Sequence, residues 1–210
     1  MPQKQPYIMM VVPSLPEQGG GGVVQVVGYL MDAWREIDGA PPMRLLVTRG
    51  RGNIWLAPFY LLRALCILTA ECARGRVALV HVNVASRGST WRKLTVVAVA
   101  SLFAVPVVLH LHGGGYRKFV ASLAPILARL VGWMFRRARR IIVLGEAWRE
   151  FIQQTFHPAD GNMGVMPNGV PDTPAPGGMG KPTEPRLLFI GRLSREKGRS
   201  ALREALATDS

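Results

Sequence analysis

Short apolar runs that alternate with helix-periodic segments constrain this chain more than any other feature. Tyr7 to Val12, Met43 to Thr48, Val77 to Val84, Val105 to Leu111, Ile141 to Leu144 and Gly164 to Met166 each read as a strand. Between the first two, Val23, Val27, Leu30, Trp34 and Ile37 recur at helical spacing and Gly39 stops the helix. Further helices are expected from Trp55 to Arg74 with Pro58 in the first turn, and from an N-cap at Ser89 to Phe103 with a turn at Ala104. Two more are expected through Leu123, Leu127, Leu130 and Met134, and from Glu146 to Phe156. The run VALVHVNV at 77–84 is almost continuously apolar, which suits a parallel sheet covered on both faces. The expected fold class is α/β, a Rossmann-like, doubly wound, mostly parallel sheet over residues 1–170. Residues 171–185 are rich in Pro and Gly and read as a linker, and 186–210 read as the start of a second domain.

The chain has 210 residues, of which 49% are hydrophobic, enough to fill a sizeable core. Its net charge of +13 calls for an anionic partner: nucleic acid, an anionic membrane surface or a phosphorylated substrate. Nucleic acid is the weakest of the three, because no aromatic-interleaved platform, zinc knuckle or helix-turn-helix spacing is present. Arg136, Arg137, Arg139 and Arg140 form a basic run at a helix end; it reads either as a solvated helix terminus or, with the apolar helix before it, as peripheral contact with anionic lipid. Cys66 and Cys72, six apart in an apolar helical pattern, do not fit a metal-site spacing and read as buried reduced thiols of a cytoplasmic chain. The opening MPQKQPY lacks the charged and apolar regions of a signal peptide. Ile54 to Ala70 carries Pro58 and Arg63, and Leu94 to Leu111 contains Ser101 and Pro106, so neither reads as a clean membrane span.

The candidate site residues sit where strands end. Gly19 to Gly22 lies between the first strand and a helix; the amides of Gly20 and Gly21 either face a phosphate or sugar, or belong to a flexible surface loop. The spacing is not Gly-x-Gly-x-x-Gly, which argues against a nicotinamide site. His112-Gly113-Gly114-Gly115 ends another strand; His112 is placed to hydrogen-bond a substrate, with room left by Gly113. His110 points to the same side and reads as a satisfied core histidine. A two-histidine metal site lacks an obvious third ligand, so no metal is expected. Ser86-Arg87-Gly88-Ser89 either contacts a phosphate or simply caps a turn. Glu146 reads as a helix-start carboxylate rather than a catalytic base.

The segment Arg186 to Gly198, RLLFIGRLSREKG, runs from an apolar strand into Gly191, with Arg192 and Lys197 following and Gly198 closing it. It resembles the start of the donor-binding domain of retaining, two-domain (GT-B) glycosyltransferases of family 4. The glycine-rich first loop, His112-Gly113, the Ile141 to Glu146 strand and turn, and Asn168-Gly169 occur in the same order as in that family. The resemblance implies a glycosyltransferase that moves a sugar from a nucleotide-sugar donor with retention and without a metal cofactor. Arg192 and Lys197 would bind the donor diphosphate, Gly20 and Gly21 would approach the same phosphates, and His112 would position the transferred sugar as the catalytic histidine. Ser86, Arg87 and Gly113 are the acceptor or phosphate candidates. The stretch His81 to Ser89 is similar to members that build bacterial exopolysaccharide, which implies a lipid-linked saccharide acceptor and a cytoplasmic protein peripheral on the inner face of the membrane. The family's Glu-x7-Glu motif has no counterpart here, so the expectation is a truncated second domain. The alternative is a non-catalytic membrane or lipid-phosphate-binding module, or an inactive fragment.

Overall fold

The computed structural model describes residues 5–18, 21–50, 52–172 and 204. The chain divides into two compact units, Met1–Pro171 and Asp172–Ser210, and every element given a range below lies in the first. The expected linker beyond Asp172 and the strand Leu187 to Ile190 lie outside the described residues.

Six strands form one sheet: β1 (Tyr7–Val12), β2 (Met43–Val47), β3 (Val77–Val84), β4 (Val107–Leu111), β5 (Arg140–Val143) and β6 (Met163–Val165). Six helices join them: α1 (Gly22–Arg35), α2 (Ala57–Ala73), α3 (Gly88–Leu102), α4 (Tyr116–Ala121), α5 (Pro125–Arg137) and α6 (Glu146–Phe156). The strand order is β2-β1-β3-β4-β5-β6 and every pairing is parallel, so the mostly parallel expectation becomes wholly parallel. The chain steps outward once, from β1 to β2, then crosses back over β1 and proceeds the other way. With right-handed crossovers, that reversal puts α1 on one face and the remaining helices on the other.

Side-chain alternation agrees with this layout. Tyr7, Met9 and Val11 of β1, with Val80, Val82 and Val84 of β3 and Leu109 and Leu111 of β4, pack with residues of α2, α3, α5 and α6 in the main core. Met10 and Val12 pack instead with Val27 of α1. The aromatic end of the main core holds Phe135 and Phe156 stacked at 4.8 Å, with Tyr116 edge-on to Phe135 at 6.0 Å.

Several local expectations are corrected. The N-cap of α3 is Arg87, not Ser89, and no side chain caps it; the Ser89 hydroxyl accepts from the Ala85 N–H at 3.2 Å instead. The segment after His112 holds two helices rather than one, because Pro125 starts α5 afresh after α4. Cys72 is buried, but Cys66 is exposed, since it falls on the outer face of α2. Arg140 belongs to β5 and Arg139 to the connection before it, so only Arg136 and Arg137 end α5. The turn at Ala104 is present, with φ +53°. Gly50, at φ +69°, has to be glycine: a Cβ there would run into the Tyr60 ring.

Leu68, with no exposed surface, pins α2 to the core. Leu68→Ala is expected to cost about 3 kcal/mol, read as a lowered urea midpoint at unchanged slope.

Candidate functional site

The reversal of direction between β1 and β3 leaves a crevice beyond their carboxyl ends, the place where open α/β sheets hold ligands. Three connections border it: Pro13 to Gln18 after β1, Ala85 to Arg87 after β3, and His112 to Gly115 after β4. Asn83, near the end of β3 and only 2% exposed, ties the three strands together. Its Nδ2 donates to the Val11 carbonyl at 3.2 Å and contacts Met10 Sδ at 3.0 Å; its Oδ1 lies 2.9 Å from His112 Nε2. A carbonyl can only accept, so the Val11 bond fixes the orientation of the amide and presents Oδ1 to the histidine. His112 Nε2 therefore donates, and Nδ1 keeps its lone pair. The Asn83 signal was present in the sequence as the one amide within an apolar run, but nothing there named its partners.

His112 is half-buried and backed by His110 at 3.9 Å between ring centroids; His81 lies 5.6 Å from His110. Burial lowers all three from the ordinary value of 6.5: His81 to about 4, His110 to about 3 and His112 to about 4. Repulsion from His112 adds to the effect on His81, and repulsion from His112 and then His81 adds to it on His110. These shifts favour the neutral ring forms at pH 7; His112 Nδ1, unlike its Nε2, is buried without a partner among the described residues. The reading of His110 as a satisfied core histidine is corrected: it is buried, but neither ring nitrogen has a partner among the described residues. It lines a cavity of about 510 Å³ on the α1 face of the sheet, between α1 and Met166–Pro171, which also takes in Asn168 and Gly169. Among the described residues no three His, Cys, Asp or Glu side chains are grouped to hold a metal ion.

The β3 and β4 connections meet closely. His112 N–H donates to Val84 O at 2.8 Å, and a Cβ on Gly113 would lie 3.4 Å from Tyr116 and 3.6 Å from the Ser86 nitrogen. Ser86 and Gly113 are thus neighbours, with Thr90 holding the turn by donating to Ala85 O at 2.9 Å. Arg87 is exposed and sits at φ +61°, ψ −131°, a backbone conformation that costs an L-residue about 1–3 kcal/mol. It precedes an N-terminus of α3 that no side chain caps; Gly21 likewise precedes an uncapped α1. Both termini present free amides and positive dipole ends at the crevice. Gly20, Arg192 and Lys197 lie outside the described residues.

A model of the glycosyl transferase 4-like domain matches residues 5–169, all of the sheet and its helices. The chain belongs to that family. No curated protein matches the chain.

This glycosyltransferase-family domain carries one feature at the same rim that sequence reading missed. Lys93 of α3 is fully buried, and its Nζ donates to Thr48 Oγ1 at 2.7 Å, which donates to Val12 O at 3.0 Å. No carboxylate pairs with it among the described residues, and burial, then Arg92, holds its pKa well below 10.5. The available signal was a lysine directly followed by the largely apolar run LTVVAVA.

The histidine cluster sets a pH response. Between pH 6.5 and about 4 the unfolded chain binds protons that the native cluster refuses, so stability rises with pH across that window and falls on acidification. Urea midpoints measured across it should decline toward acid, and His110→Leu should flatten the decline.

Proposed function

We propose that this domain is the acceptor-side half of a glycosyltransferase of the retaining, two-domain GT-B kind, moving a sugar from a nucleotide-sugar donor to a lipid-linked saccharide acceptor in bacterial polysaccharide synthesis. The observation that carries the reading is the crevice beyond β1, β3 and β4. There, two uncapped helix N-termini, strained Arg87 and neutral His112 converge in a chain of this family. Amide donors and dipole ends suit the phosphates of a donor or of a lipid diphosphate. Asn83 holds His112 through Nε2, and the half-buried ring would position the transferred sugar. Gly113 and Ser86 form the wall against which that sugar or the acceptor would rest. Gly20 and Gly21 would approach the donor phosphates, and Arg192 and Lys197 would neutralise the diphosphate as it leaves, a charge that a metal ion offsets in other transferases. Turnover is accordingly proposed to survive chelators. The place of action is the cytoplasmic face of the membrane, where nucleotide-sugars and lipid-linked acceptors meet.

The test is sugar transfer from a panel of nucleotide-sugars to a membrane fraction that supplies acceptor. His112→Ala is expected to lower kcat by about 10²-fold and Asn83→Ala by a smaller factor, since each removes part of one hydrogen-bonded unit. Arg87→Gly separates structure from function: it relieves the positive φ, so it should raise the urea midpoint while weakening transfer. Transfer unchanged in both His112→Ala and Arg87→Gly would overturn the reading of the crevice.

A further inference from the structure

A run of exposed apolar side chains follows β2, the edge strand of the sheet. The 3-10 turn Ile54–Leu56 leads into α2, and the outward side chains run Ile54 66% exposed, Trp55 80%, Leu56 47%, Phe59 71% and Leu62 62%. Trp55, Phe59, Leu62 and Cys66 recur at the spacing of one helical face. The stretch Ile54–Ala73 is long and apolar enough to cross a membrane, with mean hydropathy 1.5, yet only 17% of it is buried. Its inner residues Ala64, Leu68 and Cys72 are nevertheless committed to the domain core and to packing beside α3, so the helix is held flat on the protein.

Cations border the same edge. Arg49, at the end of β2, and Arg63, on α2, are exposed; Arg92 of α3 is half-buried, with its Nε lacking a partner, and Lys93 lies behind it. None of the four forms an ion pair among the described residues. Large aromatic and aliphatic side chains projecting beside unpaired cations match the interfacial zone of a bilayer, where acyl chains and phosphates lie within one helix width. A second copy of the chain fits less well, because it brings its own +13 to the contact.

We infer that this edge, formed by Arg49, Ile54–Leu56 and the outer face of α2, docks the domain onto an anionic lipid surface, with Trp55 and Phe59 entering the acyl boundary and Arg49, Arg63 and Arg92 meeting lipid phosphates. The proposed surface differs from the basic run at Arg136 to Arg140 that the sequence offered for lipid contact. Arg136 and Arg140 of the basic run are engaged with the Phe156 and Gly161 carbonyls, so that run is partly structural. The inference deepens the proposed function by naming the surface that would bring the crevice to a lipid-linked acceptor.

The experiment is co-sedimentation of the full chain with phosphatidylcholine vesicles with and without phosphatidylglycerol, at low and raised salt. Binding is expected only with phosphatidylglycerol and should weaken with salt. Arg49→Gln should reduce it about fivefold, and Trp55→Ser with Phe59→Ser at least about tenfold. Ile126→Ser with Trp133→Ser on α5 should leave it nearly unchanged. All substituted residues are exposed, and circular dichroism checks that each variant folds. Full binding by the Trp55/Phe59 variant overturns the inference, as does loss confined to the α5 variant. So does a dimer, seen in sedimentation velocity without lipid, that the Trp55/Phe59 variant abolishes. Transfer to a water-soluble acceptor analogue, measured separately, tests the reaction itself; vesicle binding needs neither donor nor acceptor, so each reading fails on its own.

Discussion

The reversal of strand order between β1 and β3 is the constraint on which the rest of the structure depends. Right-handed crossovers leave a parallel sheet few ways to be covered, and a single outward step before the return places α1 alone on its face. Two consequences follow. The carboxyl ends of β1 and β3 splay into a crevice, and the α1 face over β3 and β4 is lined by His81, Asn83 and His110 where an ordinary core would place aliphatics. Asn83 makes this tolerable near the rim by bonding to β1 and to His112 at once. His110 has no such partner among the described residues; its lowered pKa reflects the cost of charging a buried ring, while its two unpartnered nitrogens remain a cost even when it is neutral.

Positive charge is distributed with equal consequence. At the amino end of the sheet Glu71 binds Arg74, Arg76 and the Tyr7 hydroxyl, a local and self-sufficient cluster. At the carboxyl end the cations Arg49, Arg87, Arg92 and Lys93 find no carboxylate among the described residues. A cation without a carboxylate is costly where it is buried, as Lys93 is, whereas the exposed Arg49 and Arg87 and the half-buried Arg92 leave positive charge at the surface of that end. The same end carries the exposed aromatic residues that lead into α2.

Much of the fold was legible in the sequence because continuous apolar runs and helical periodicity report burial directly. All six strands were found, most within a residue or two, and α6 was found with its limits intact. The misses have particular causes. Ser89 looked like a cap, but the cap position falls two residues earlier, at Arg87, and the Ser89 hydroxyl accepts from the Ala85 amide. Cys66 and Cys72 share a helix and differ in burial, because six residues at 100° each place them on different sides of α2. His110 and His112 were correctly placed on one side of β4, yet which of them is held by a partner depended on Asn83, some thirty residues away.

Sequence alone determined the class of fold, the family, and the strand ends at which Gly21, Ser86, Arg87, His112 and Gly113 stand, since these follow from local pattern and ordered motifs. Tertiary structure decided what those residues do to one another. The bond that sets the His112 tautomer, the contact between Gly113 and Ser86, the burial of Lys93 against Thr48 and the exposure of Trp55 and Phe59 all arise between segments distant in the chain or from which face of a helix the core claims. Periodicity states that a helix has a buried side; only the packed sheet states that α2, apolar nearly all round, has an outer one.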